Sequence, residues 1–277
     1  FKSKKVKTSL IRKKLINLIK EKNEILKSLS KDYKNNFNFK DLKKFKKSLD
    51  YRVIGMGGSS LGAQAIYDFL RHKIKKRFLF IDNLKIDNLE KKKKNHNNLI
   101  ISKSGNTIET IVNVNLLIKK KDQNILITEN KKNYLNLLAE KLKADIIHHN
   151  DYIGGRYSVL SEVGMLPAEI MGLNINNFKQ LNFLIKNKSF FNNLISNVSS
   201  TLHFIRNKKF NSIILNYDEK SDSLFKWYQQ LIAESLGKKK KGLLPIVSNM
   251  PKDNHSVMQL YLDGFRNNFF TFFYAHE

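Results

Sequence analysis

Cysteine is absent from this chain of 277 residues, so disulfide bonds, thiol nucleophiles and cysteine-based metal sites are excluded. Long apolar runs are also absent, because none reaches the length of about 18 residues that a membrane-spanning helix needs. The sequence therefore predicts no membrane segment, and residence in the cytoplasm is the simplest expectation. The chain begins with Phe1 rather than methionine and stops just after an apolar segment at Phe272 and Phe273. We therefore expect it to be a fragment of a longer protein.

Acidic residues are few, since 24 aspartates and glutamates face 51 lysines and arginines and leave a formal net charge of +27. Such a charge raises nucleic acids or acidic membranes as partners. The lysines are spread along the whole sequence, however, and the runs Lys91 to Lys94 and Lys238 to Lys241 lack the interleaved aromatic residues of single-strand binding sites. We therefore expect no specific nucleic-acid partner and no membrane partner. The basic amphipathic segment Lys4 to Leu29 is predicted to be a surface helix packed on the body of the protein.

Short apolar runs alternate with helical patterns from Tyr51 onward, which is typical of doubly wound parallel α/β sheets. The pattern predicts an N-terminal helical segment over 1–50, a first α/β domain over 51–173, and linking helices with a second, incomplete α/β domain over 174–277. The predicted strands are Arg52 to Gly55, Arg77 to Ile81, Leu99 to Ser102, Asn124 to Thr128, Ala144 to Ile147, Phe210 to Tyr217 and Leu243 to Val247. The helical sequence after the first domain covers Asn174 to Arg206, Ser223 to Leu236 and Asp253 to Gly264.

Ligands of open α/β sheets bind beyond the carboxyl ends of the strands, so the loops after the strands are the first candidates for a site. The loop Gly55 to Gly62 fails two nucleotide-binding patterns: Ser60 stands where a dinucleotide fingerprint has glycine, and Ala63 stands where a Walker A motif has lysine. What the loop retains is a glycine-rich turn before a helix, with Ser59 and Ser60 as hydroxyl donors to an anion.

The loop Ser102 to Thr110 is dense in hydroxyl groups and leads into a helix. Hydroxyls from Ser102, Ser104 and Thr107, together with backbone N–H groups at the helix start, suit a phosphate monoester. A simpler interpretation is a Ser/Thr helix cap with Glu109 in the first turn. Both interpretations are compatible with the sequence.

One arginine is the candidate for binding an anion, and one glutamate is the candidate for acting as a base. Arg156 follows Gly154 and Gly155, so its planar, positively charged guanidinium is predicted to lie on a turn where the backbone can approach a ligand closely. Gln230 and Glu234 are four residues apart on a predicted helix that Gly237 ends, so they project from one face. The same spacing is also common for a glutamine and a glutamate that lie on the surface without a catalytic role. His255 is likewise compatible with a residue at the start of a helix that has no role in a site.

Five strings together resemble the glucose-6-phosphate isomerase family, which belongs to the sugar isomerase (SIS) folds. In chain order they are GMGGSSLG, SKSGNTIET, GGRYSVLSEVGMLP, QQLIAESLGK and NHSVMQLYLDG. The resemblance runs from about Tyr51 to Gly264, and the arginine and glutamate strings are its most specific parts. It implies two SIS domains and the reversible conversion of glucose 6-phosphate to fructose 6-phosphate through an enediolate, in glycolysis and gluconeogenesis.

The resemblance also implies a role for each matching residue. Arg156 matches the arginine that stabilises the enediolate, Glu234 the base that moves a proton between C1 and C2, and Gln230 a substrate-binding glutamine. His255 matches a histidine that assists ring opening and is supplied across the interface of a homodimer. The positions that hold the substrate phosphate match Ser59, Ser102, Lys103, Ser104 and Thr107. No metal and no cofactor is implied for this reaction.

Two features leave alternatives open. The family carries a catalytic lysine near its C-terminus, and this chain ends before any segment that could contain it. The loop SKSGNTIET also resembles that of bifunctional phosphoglucose/phosphomannose isomerases, and some SIS domains bind sugar phosphates as sensors without catalysis. The presence of Arg156, Glu234 and His255 favours an enzyme, and the long helix with Gln230 favours the conventional isomerase.

Overall fold

The computed structural model describes residues 8–21, 23–38, 42, 45–84 and 95–276. The basic run Lys91 to Lys94 and the beginning of the predicted N-terminal helix lie outside these residues. The strands are β1 (Asp50–Gly55), β2 (Arg77–Ile81), β3 (Asn97–Ile101), β4 (Gln123–Glu129), β5 (Asp145–His149), β6 (Asn211–Asn216), β7 (Leu244–Asn249) and β8 (Asn268–Phe273). The helices are α1 (Thr8–Lys20), α2 (Glu24–Ser28), α3 (Leu61–Phe69), α4 (Ile108–Leu117), α5 (Tyr134–Leu142), α6 (Glu162–Ile170), α7 (Leu181–Lys186), α8 (Lys188–Arg206), α9 (Asp222–Leu236) and α10 (Met258–Asp263).

The first sheet is entirely parallel, with the strand order β2-β1-β3-β4-β5. Its central strands carry runs of fully buried side chains, such as Leu99 to Ile101 in β3 and Ile125 to Ile127 in β4. Parallel sheets are covered on both faces, so their strands read as continuous apolar runs. One face packs on α6 through Met165, Leu166 and Ile170, and the other packs on α4 and α5. All five predicted strands of this domain are confirmed, with ends shifted by up to two residues.

The second sheet is also parallel and has the order β7-β6-β8. Strands β6 and β7 confirm the two predicted strands, and α9 confirms the predicted helix that Gly237 ends. This part of the chain packs on the first domain chiefly through α9 against α3. The boundaries of the two domains at residues 51 and 174 stay predictions.

Three predicted helical segments are interrupted. The N-terminal segment divides into α1 and α2, because the Asn23 side chain accepts the Ile25 amide and begins a new helix there. The segment before β6 divides at Asn187, whose side chain caps α8. The helix predicted around Asp253 to Gly264 is present but starts only at Met258, since a short turn at Lys252–Asn254 precedes α10. Asp253 accepts bonds from the Asn249 amide and the Ser256 hydroxyl, and such local bonds compete with helix formation.

The N-terminal helix packs on the body of the protein, as predicted. Ile11 of α1 and Ile195 of α8 are buried against each other, and the Arg12 guanidinium lies 5.3 Å from the centre of the Phe191 ring. Among the described residues, no helix combines the length and the apolar character that crossing a membrane requires.

Candidate active site

The candidate site lies where the strand order of the first sheet reverses. Strand β1 pairs with β2 on one side and β3 on the other, so the loops after β1 and β3 diverge and leave a crevice at their carboxyl ends. A cavity of about 300 Å³ opens there. The residues that line it are Met56, Gly58, Ser59, Lys103, Ser104, Thr107, Glu129 and Gly155.

The glycine loop after β1 serves close packing between two backbones. A Cβ atom on Gly58 would lie 2.3 Å from the carbonyl carbon and oxygen of Gly155 and 2.7 Å from the Arg156 nitrogen. Gly57 has a φ of +53°, and a Cβ there would lie 2.9 Å from Nε2 of Gln230. The two glycines therefore let α9 and the turn Gly155–Leu160, which we call the arginine turn, approach the loop after β1 closely. A Cβ atom at position 58 would hold two backbones apart, whereas one at position 57 would displace the Gln230 amide and strain the backbone.

The loop after β3 presents hydroxyl groups to the cavity. Ser102 is buried, and its Oγ shares a hydrogen bond of 2.8 Å with Oγ1 of Thr107. Thr107 stands at the N-cap position of α4, yet its side chain makes no capping bond, so the predicted side-chain cap is not formed. Glu109 lies in the first turn of α4, as predicted. The Thr107 hydroxyl is thus oriented by Ser102 and is not engaged by the amide groups at the start of α4.

Lys103 is held by groups from two neighbouring loops. Its Nζ donates to the Asp151 carbonyl at 2.9 Å and lies 3.2 Å from Oε1 of Glu129. The other carboxylate oxygen of Glu129 lies 3.1 Å from the Lys131 ammonium. Glu129 was not predicted as a site residue, although its place at the carboxyl end of β4 is a signal that could have found it. The lysine therefore reaches the cavity from a fixed position.

Arg156 lies on the turn Gly155–Leu160 that precedes α6, and α9 anchors it by three contacts. The Trp227 indole donates to the Arg156 carbonyl at 3.1 Å. The Arg156 Nε donates to the Ser235 Oγ at 3.0 Å, and Nη1 donates to Oε2 of Glu234 at 3.3 Å. The guanidinium also lies 4.5 Å from the centre of the Tyr157 ring. The structure thus brings the predicted arginine and glutamate together from positions 78 residues apart.

Gln230 and Glu234 share one face of α9, as the spacing predicts. The amide nitrogen of Gln230 donates to Oε1 of Glu234 at 2.8 Å. Its amide oxygen is buried and has no hydrogen-bond partner within the described residues. The Glu234 side chain remains 48% exposed, against 21% for Arg156. An ion pair this open contributes at most about 1 kcal/mol to stability, so a ligand can exchange its contacts at little cost.

Two residues beside Arg156 were not predicted. The Ser235 hydroxyl accepts from Arg156 and shares a 2.8 Å hydrogen bond with the Tyr157 hydroxyl. This bond to Ser235 lowers the pKa of Tyr157 below its ordinary value, and the neighbouring guanidinium acts in the same direction, against the opposing effect of burial. No periodicity or spacing in the sequence connects position 157 with position 235, so only the fold shows this pairing.

The sequence of this chain matches a known protein family. A family model described as phosphoglucose isomerase matches residues 3–244. The chain belongs to the phosphoglucose isomerase family. It is 37% identical over 243 residues to a glucose-6-phosphate isomerase from Methanocaldococcus jannaschii, and the match covers 81% of this chain. The chain spans only 60% of the length of that phosphoglucose isomerase relative.

Two solved structures have the same fold. A hypothetical protein from Thermus thermophilus superposes with a TM-score of 0.76 at 22% identity, covering 96% of this chain and 69% of that one. A glucose-6-phosphate isomerase from Chlamydia trachomatis superposes with a TM-score of 0.64 at 20% identity, covering 84% and 52%. At these identities the likeness concerns the fold, and it confirms parallel-sheet α/β units of the sugar isomerase type.

His255 is the one predicted site residue that the structure does not bring to the others. It lies on an exposed turn between β7 and α10. Within residues 95–276, no hydrogen bond or ion pair joins its side chain to Arg156 or Glu234. In this member of the phosphoglucose isomerase family, the cluster within one chain therefore consists of the cavity residues, Arg156, Gln230 and Glu234.

Proposed function

We propose that the protein interconverts glucose 6-phosphate and fructose 6-phosphate through an enediolate, as a step of glycolysis and gluconeogenesis. The observation that carries this proposal is the contact of 3.3 Å between Arg156 and Glu234 beside a hydroxyl-lined cavity. A base and a permanent cation in contact suit the removal of a carbon-bound proton next to a carbonyl group. Its relatives are named glucose-6-phosphate isomerases, which favours this reaction over that of a bifunctional isomerase or a sensor.

The phosphate group is proposed to occupy the cavity after β1 and β3. Ser59, Ser104 and Thr107 supply hydroxyl donors there, and Lys103 supplies a charge. Ser102 contributes by orienting the Thr107 hydroxyl through their shared bond of 2.8 Å. The start of α4 adds backbone N–H groups and the positive end of a helix dipole, both of which favour a phosphate dianion.

Glu234 and Arg156 are proposed to divide the proton and charge chemistry between them. Glu234 removes the proton from C2 of the open-chain aldose, the electron pair forms a C1–C2 double bond, and the carbonyl oxygen at C1 becomes an oxyanion. Arg156 stabilises that oxyanion. Transfer of a proton from O2 to O1 and return of the proton from Glu234 to C1 then give the ketose. Gln230 holds a substrate hydroxyl through its amide oxygen, which is buried without a partner among the described residues.

The assembly is proposed to be a homodimer in the cytoplasm. His255 is exposed on a turn outside the cluster of its own chain, which suits a residue that enters the site of a second copy and assists ring opening. The absence of cysteine is compatible with any redox environment and does not oppose the cytoplasm.

The test is an assay of sugar-phosphate interconversion by the complete protein in both directions. We expect Glu234→Gln to lower kcat by about 10³-fold or more, because the amide cannot accept the proton. Glu219→Gln, on an exposed turn before α9, is the matched control and is expected to retain full activity. A folded wild type that binds the sugar phosphate without converting it would refute the isomerase and support a sensor.

A further inference from the structure

Arg156 has supports that the proposed reaction does not by itself require. Its Nε donates to Ser235, whose hydroxyl is also bonded to the Tyr157 hydroxyl, and its guanidinium lies on the Tyr157 ring. Within the described residues, no hydrogen bond engages the Nη2 group. The arginine is therefore held at Nε and by one face of its plane, its Nη1 contacts Glu234, and its Nη2 group is left for an anionic oxygen.

This support differs in kind from the contact with Glu234. A glutamate that acts as a base must leave its ion pair with the arginine when it meets the substrate. Ser235 and Tyr157 have no proton to move in the reaction, so their bonds can persist throughout catalysis. A guanidinium fixed in this way is preorganised for the charge that develops in the transition state, and such groups do not have to reorient as the reaction proceeds.

We infer that Ser235 and Tyr157 are positioning residues that fix the plane of the Arg156 guanidinium toward the enediolate oxygen. This inference rests on the proposed isomerase function. The hydroxyl of Tyr157 orients Ser235, Ser235 orients Nε, and the aromatic ring sets the tilt of the guanidinium. Neither residue touches the sugar.

The consequence is a specific kinetic pattern. Substrate binding relies on the hydroxyl groups and Lys103 of the phosphate cavity, which lie on the loops after β1 and β3, so KM is expected to change less than twofold. Loss of the Tyr157 hydroxyl in Tyr157→Phe is expected to lower kcat by about 5-fold, and Ser235→Ala by about 30-fold, because small misplacements of a catalytic group cost up to about 10²-fold. Ser235→Thr keeps the hydroxyl and is expected to restore most of the lost rate.

The experiment compares kcat and KM of the complete protein for the wild type and these three variants. Tyr157→Phe removes a single oxygen atom and is expected to fold, which thermal melting checks. A second measurement uses an aldonic acid 6-phosphate, whose carboxylate imitates the enediolate charge. Its Kd is expected to rise in Tyr157→Phe and Ser235→Ala, with little change in the Kd of inorganic phosphate.

The outcomes separate the two proposals. An active wild type whose kcat is unchanged in Tyr157→Phe and Ser235→Ala would overturn the inference and leave the isomerase intact. A parallel rise of the Kd for inorganic phosphate would also overturn it, because that result indicates general damage to the site. A wild type without isomerase activity would overturn both proposals.

Discussion

The contact between the glycine loop and the arginine turn gives a quantitative prediction. A Cβ atom at Gly58 would lie 2.3 Å from the Gly155 carbonyl carbon and oxygen, whereas ordinary contacts begin near 3.4 Å. The substitution Gly58→Ala therefore forces a separation of about 1.1 Å between two backbones, neither of which can rotate away as a side chain does. Because Arg156 follows Gly155 directly, the displacement passes to the guanidinium.

Gly58→Ala is expected to lower both the free energy of unfolding and kcat. Overpacking of a tight contact lowers the free energy of unfolding by about 1–3 kcal/mol. A displacement of this size at a catalytic group lowers kcat by about 10²-fold. Thermal or denaturant unfolding measures the first effect and steady-state kinetics of the complete protein the second.

Gly155→Ala is the matched control on the other side of the same contact. A Cβ atom at Gly155 would meet no heavy atom within 4 Å, and the φ of Gly155 lies outside the left-handed region. We expect this variant to unfold like the wild type, and the two alanine variants are compared on the free energy of unfolding because Gly155 also lines the proposed phosphate cavity. An equal loss of unfolding free energy in the two alanine variants, or full activity of Gly58→Ala, would refute the steric argument.

Three further predictions concern the phosphate cavity, ligand binding and acid stability. Thr107→Val removes the hydroxyl partner of Ser102 and is expected to raise KM for the sugar phosphate about 10-fold with a smaller effect on kcat, since one charge-assisted hydrogen bond to phosphate is lost. Trp227 is the only tryptophan of the 277 residues and donates to the Arg156 carbonyl, so its fluorescence is expected to change when sugar phosphate binds and to stay constant with an uncharged hexose. Burial opposes ionisation of Glu162, but hydrogen bonds from His149 and other donors hold its pKa below the ordinary 4.5. Its stabilising contribution is therefore present above pH 4.5 and is lost as the pH falls through the lower folded-state pKa, and Glu162→Gln is expected to remove this part of the acid transition in unfolding titrations.

The strands were predictable because a parallel sheet is buried on both faces, so its strands appear in the sequence as short, continuous apolar runs. The runs Leu99 to Ile101 and Ile125 to Ile127 are apolar at every position, and the buried polar residues Asn98, Asn124 and Thr128 lie only at their ends. The loops at their carboxyl ends were predictable for the same reason. Once the strands are placed, the topology determines which loops meet.

The helix boundaries were less predictable where asparagine and aspartate compete for backbone groups. Asn23, Asn187 and Asp253 each bond a nearby amide and end or begin a helix within a segment whose overall pattern is helical. The sequence contains many other asparagines that do not act in this way. Local composition therefore cannot tell which of them interrupts a helix.

Buried polar contacts between distant segments could not be predicted at all. Glu162 accepts hydrogen bonds from the Tyr33 hydroxyl at 2.8 Å and the Asn36 amide at 3.1 Å, and it contacts His149 at 3.2 Å. The sequence separation of Tyr33 and Glu162 is 129 residues, and neither lies in a pattern that connects them. From the sequence, Glu162 was only a part of the arginine string, whereas the structure shows that it attaches the N-terminal segment to the first domain.

The position of the candidate base depends on how α9 lies on the first domain. Near its start, the Ser223 hydroxyl donates to Asp68 of α3. In its middle Trp227 holds the Arg156 carbonyl, and near its end Ser235 holds the guanidinium. These contacts recur at helical spacing, so one face of α9 follows the first domain along most of its length. Glu234 lies on that attached face, and its distance to Arg156 is set by α9 and the arginine turn. On its other side α9 packs on the second sheet, through Phe225 against Phe273 and the Gln229 amide on the Pro245 carbonyl, so the pair that we propose to carry the chemistry forms where α9 meets the arginine turn.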